Sequence, residues 1–127
     1  MNEKASIDRA RKLVEPVCAR QGVVGIYLAG SATRPHQDEW SDLDIEVIVE
    51  DAIYAATPDE QRHVYVLRSS KPPVVDHEIY LIPWSDFVQL TASTHDLFHY
   101  PYQHAQILFD PQERLAPIID QLRTLSS

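Results

Sequence analysis

The stretch Gly25–Val49, GIYLAGSATRPHQDEWSDLDIEVIV, decides how this chain reads. It opens as an apolar strand, passes through Ala29-Gly30-Ser31, crosses a polar loop and enters a second strand. That second strand carries two aspartates inside Ser41-Asp42-Leu43-Asp44-Ile45-Glu46-Val47. Side chains alternate along a strand, so residues two apart share a face. Leu43, Ile45, Val47 and Val49 then form an apolar stripe for a core, while Asp42 and Asp44 point the other way. Two carboxylates side by side repel unless one is protonated or a cation sits between them. A hard divalent ion is the simplest cation to fit. Magnesium prefers carboxylate oxygens, keeps waters and completes its shell with phosphates. The preceding turn suits phosphate: Gly30 lets the backbone approach closely, and Ser31 offers a hydroxyl and an N–H. A phosphate cradle followed by a carboxylate pair reads as a nucleotide–metal site.

Outward from this stretch, the 127 residues bound one domain, 1–127,. A chain of this length buries about two-thirds of its unfolded surface, enough for a core. No apolar run approaches the roughly 20 residues of a membrane span, and MNEKASIDRA lacks the apolar core of a signal peptide,. The single cysteine, Cys18, excludes an internal disulfide and points to the cytoplasm,. A net charge of −8 argues against sequence-independent binding to nucleic acid, so a small molecule or a protein is the better acceptor,.

Residues 4–21 repeat Ile7, Ala10, Leu13, Val14, Val17 and Cys18 at helical spacing, with Pro16 expected to kink or split the helix,. Val23–Leu28 is β-branched and apolar, hence a buried strand. Thr57-Pro58-Asp59-Glu60 has the form of a capping box and predicts a helix from Pro58 to about Arg68,. Val74–Ile82 reads as a third strand. Ser85 can cap a helix from Asp86, and Thr91–Asp96 reads as a loop. His104–Phe109 is a short fourth strand, and Leu115, Ile118, Ile119 and Leu122 mark a last helix. The order α-β-β-α-β-α-β-α predicts an α/β (α+β) fold, a mixed sheet of about four strands with helices packed on it.

Gly30-Ser31, ten residues, then Asp42-Leu43-Asp44 resembles the signature of the polymerase-beta-type nucleotidyltransferases. Glu39-Trp40-Ser41 is similar to the minimal, stand-alone members. The resemblance runs from about Leu13 to Leu122 and departs at Arg34-Pro35, where many members carry a second glycine. It implies transfer of an NMP from an NTP to a hydroxyl of a small molecule or protein. It also implies two Mg²⁺ ions on Asp42, Asp44 and a third acid on a neighbouring strand. Asp76 and Glu78 are the candidates for that acid. Glu78, before Ile79-Tyr80-Leu81-Ile82, matches the family pattern better. Glu78 would also take the acceptor proton, and Gly30 and Ser31 would hold the triphosphate. Glu46 shares the aspartate face, where a surface or ion-paired role is expected. Trp40 is a candidate for base contact. His95 and His99 stand four apart but lack the cysteines or carboxylates of a zinc site.

The larger members carry a further helical domain for the acceptor. A chain like this one would find its acceptor site at a homodimer or partner interface, or be the catalytic piece of a longer protein. The alternative is an antitoxin-like binding module of the minimal nucleotidyltransferase type, paired with a helical HEPN-type partner.

Overall fold

The computed structural model describes residues 3–29, 43–89 and 105–126. Helix α1, Glu3–Cys18, runs through Pro16 without a break in the assigned helix. Strand β1 is Val23–Leu28 and β2 is Leu43–Val49. Helix α2, Asp51–Ala56, and the single turn α3, Asp59–Arg62, lead into β3, His63–Ser70. Strand β4, Pro73–Pro83, is followed by α4, Trp84–Gln89. Strand β5, Gln106–Phe109, and helix α5, Ala116–Ser126, end the fold.

The five strands form one mixed sheet in the order β3-β4-β2-β1-β5. Strand β1 runs antiparallel to both β2 and β5. Strand β2 runs parallel to β4, and β3 folds back antiparallel on β4. A parallel pair needs a crossover rather than a tight turn. Here the crossover is α2, α3 and β3, so β3 ends up outside β4, at the edge.

The alternation in β2 sorts its residues as expected. Leu43, Ile45, Val47 and Val49 are buried, and pack with Ile26 and Leu28 against Ala10 and Val14 of α1. Fully burying such a side chain is worth about 1.5–3 kcal/mol, so this stripe fixes which face of the sheet α1 covers. The Arg9 guanidinium also donates to the Asp76 carbonyl at 3.3 Å, tying α1 to the start of β4. On the other face Ile48, Tyr27, Phe87, Leu115 and Ile119 form a second core under α4 and α5. Gly25 allows this close packing: a Cβ there would lie 2.5 Å from Leu115 Cδ1 and 2.9 Å from the Phe109 carbonyl. Asp110 sets α5 in place, accepting from the N–H groups of Arg114, Leu115 and Ala116 at 2.9–3.0 Å.

Three expectations fail here. The helix foreseen from Pro58 to Arg68 is one turn, and residues 63–70 are instead a fifth strand. His-Val-Tyr-Val-Leu alternates β-branched and aromatic residues, and pairing with β4 outweighs the helix signal before it,. The expected capping box does not form either. Thr57 closes α2, its hydroxyl donating to the Ile53 carbonyl at 2.7 Å, and Pro58 is the N-cap of α3 without a side-chain bond. Likewise α4 starts at Trp84 rather than Asp86. The Ser85 N–H donates to Asp51 Oδ1 at 3.0 Å, so an acid on α2 satisfies it.

Candidate active site

Parallel pairing places Asp44 of β2 directly beside Glu78 of β4. Paired residues on neighbouring strands share a face, with Cβ atoms roughly 5 Å apart. The same register sets Glu46 beside Tyr80 and, through β1, beside Tyr27. Strand β3 adds Tyr65 opposite Glu78 and His63 opposite Tyr80. One face of the sheet thus gathers three carboxylates, Asp44, Glu46 and Glu78, among three tyrosines and a histidine.

Glu78 is held from two sides. The Tyr80 hydroxyl donates to its Oε2 at 2.8 Å. His63 Nε2 lies 3.5 Å from its Oε1, and the His63 ring stacks on Tyr80 with centroids 4.2 Å apart and planes 10° from parallel. Burial, the bond to Glu78 and the negative charges of Glu78, Asp44 and Glu46 push the Tyr80 phenol well above its usual range. Tyr80 therefore keeps its proton and serves Glu78 as a hydrogen-bond donor.

A surface or ion-paired role is expected for Glu46; among the described residues no ion pair holds it, and it is not fully exposed. It is half-buried, and burial pushes its carboxyl from 4.5 to about 7. The facing Tyr27 hydroxyl pulls it back down in part, and the charge of Asp44 raises it. The sequence signal was available, since Glu46 alternates with Asp44. What the sequence lacks is the cover over this face: fully buried Tyr27, with the Phe87 ring 5.7 Å from it.

Asp76, the other candidate third acid, is engaged elsewhere. Its Oδ2 lies 2.7 Å from His77 Nδ1, and its carbonyl accepts from Arg9. His77 is buried and stands in register with Leu43, on the α1 side of the sheet. Gly30, Ser31, Asp42, Trp40, His95 and His99 lie outside the described residues, as do Arg34-Pro35 and the expected loop Thr91–Asp96. Among the described residues no group of three or more His, Cys, Asp or Glu side chains could hold a metal ion. The described donors still suit a hard cation: Asp44 and Glu78 are carboxylates on adjacent strands and one face,.

A cavity of about 340 Å³ opens on the opposite face, between α1, α2 and the sheet, lined by Val17, Val47, Val49, Ile53, Val64 and Leu81. Arg20, Gln21, Thr57 and Gln61 add a polar side to it, and none of the acids lines it, so it is separate from the carboxylate face. No helix among the described residues is long and apolar enough to cross a membrane.

A protein-family model described as "Nucleotidyltransferase domain" matches residues 10–113, which include the carboxylate face. No curated protein matches the chain.

Proposed function

The chain belongs to the nucleotidyltransferase-domain family, and on that premise we propose that it moves an NMP from an NTP to the hydroxyl of a small molecule or protein. Residues 1–127 act in this reading as one catalytic domain in the cytoplasm. The observation that carries it is the side-by-side placement of Asp44 and Glu78 on parallel strands. Family members use an NTP and divalent metal, and Asp42, Asp44 and Glu78 would hold Mg²⁺ here. Two such ions would supply positive charge to the triphosphate and lower the pKa of the attacking hydroxyl.

The remaining work falls to the chain. Glu78 would accept the acceptor's proton at a carboxylate oxygen. Tyr80 and His63 would keep that carboxylate in one orientation, so that no reorganisation is needed as the reaction proceeds,. Gly30 and Ser31 would hold the departing pyrophosphate through backbone N–H and hydroxyl. The acceptor oxygen bonds to the α-phosphorus as the bond to pyrophosphate breaks, with no covalent enzyme intermediate.

The test is calorimetric titration of ATP, GTP, CTP and UTP, with and without Mg²⁺, into the wild type, Asp44→Asn and Glu78→Gln. Mg²⁺-dependent binding that is lost in Asp44→Asn supports the reading. A folded wild type that binds none of the four nucleotides overturns it.

A further inference from the structure

The sheet has two edges, and they differ. Strand β5 is four residues long and half-buried throughout. Strand β3 is eight residues long, and Val64, Tyr65, Val66 and Leu67 are 43%, 58%, 44% and 40% exposed. An edge strand offers a row of N–H and C=O groups to any passing strand. Proteins that keep such an edge single blunt it with lysine, acids, proline or shortness. From His63 to Leu67 there is no lysine, no acid and no proline. The register shifts after Val66 and Leu67 come only at the far end of the run.

We infer that β3 is the interface of a homodimer, in which two copies pair their β3 strands antiparallel and join their sheets into one of ten strands. The strand's own residues choose a second copy as the occupant. A two-fold axis perpendicular to the sheet keeps each face continuous. Centred on Tyr65, it sets that residue opposite the partner's Tyr65, and Val64 opposite the partner's Val66. Every contact in the middle of the strand is then apolar on apolar. The flanking charges are mixed: this register sets Arg62, ion-paired with Asp59 at 2.6 Å, opposite the partner's Arg68, while the outer charges fit the antiparallel direction. Exposed Glu60 precedes β3 and exposed Lys71 follows it. Antiparallel pairing brings Glu60 near the partner's Lys71 at both ends, whereas parallel pairing would set like charge beside like.

The pairing rests on the strand alone and does not depend on the proposed reaction. It nevertheless bears on the carboxylate face. His63 and Tyr65 lie on that face beside Tyr80 and Glu78, so a partner strand would extend its floor. The two Asp44 residues would stand five strand spacings apart, roughly 24 Å, on the same side of the joined sheet.

One edge strand buries a small interface, below about 1,200 Å², so the dimer should form in the micromolar range and dissociate on dilution. Light scattering behind size exclusion, on the full chain, reads this directly. The wild type should show twice the 14.5 kDa chain mass at about 100 µM, well above a micromolar Kd. Val66→Lys, at an exposed position, should keep the far-UV circular dichroism of the wild type and raise the dissociation constant about tenfold or more. Glu60→Lys should weaken the dimer, and Glu60→Lys/Lys71→Glu should restore it. A wild type that stays monomeric at that concentration overturns the inference. So does a dimer that Val66→Lys and the charge swaps leave intact, since it must use another surface.

Discussion

Replacing Glu46 by glutamine tests how far the carboxylate face is built against its own stability. The folded-state pKa of Glu46 is about 7, above the ordinary 4.5, chiefly because burial disfavours the charge. Between those two pH values the folded chain holds a proton that the unfolded chain has released. Stability is therefore full below about pH 4.5 and falls as pH rises through the folded pKa. The rise from 4.5 to about 7, at about 1.4 kcal/mol per pH unit, amounts to about 3 kcal/mol lost above neutrality. Water reaching the half-buried carboxylate makes that figure a ceiling. Glutamine keeps the shape and never ionises. Glu46→Gln should match or trail the wild type at pH 4.5 and gain on it by up to about 3 kcal/mol by pH 8. Urea unfolding followed by circular dichroism at both pH values, in EDTA so that no divalent ion stabilises the acids, measures the gap. Groups remote from Glu46 titrate alike in both proteins and cancel in the difference. A gap that is the same at pH 4.5 and pH 8 would refute the reasoning.

Other changes test the scaffold and the clamp on Glu78. Tyr80→Phe removes one hydrogen bond to Glu78; it should cost about 1 kcal/mol in urea unfolding and slow transfer more than it weakens NTP binding. Asp110→Ala strips three N–H groups at the start of α5 of their acceptor and should cost about 2–3 kcal/mol, seen as a lower Tm. Gly22→Ala forces a side chain into a φ of +84° and against Ile53; a loss of about 1–3 kcal/mol is expected in the same assay.

Much of this architecture could be read from the chain because its signals are local. The apolar stripe of β2 needs only alternation, whereas the preference for Glu78 over Asp76 rests on the family resemblance. The structure puts Glu78 beside Asp44 and occupies Asp76 with His77 and Arg9. Strand β3 was misread because Thr57-Pro58-Asp59-Glu60 does start a turn of helix, and nothing local says that it stops at Arg62. Only the pairing with β4 does that. Helix α2 was missed because its N-cap, Glu50, makes no side-chain bond that a pattern would flag. The burial of Glu46 was invisible for the same kind of reason: Phe87, which covers that face, is far away in sequence.

The parallel pairing of β2 with β4 has a consequence for how the carboxylate face comes into being. Strand β3 meets β4 across a short turn, a contact the chain can make early. Asp44 and Glu78 meet only after the whole crossover has closed, which is a slow, non-local event. The face that would bind nucleotide is thus absent from a partly folded chain in which that crossover is open. Loss of ligand binding should report the opening of the sheet before the β3–β4 hairpin itself comes apart.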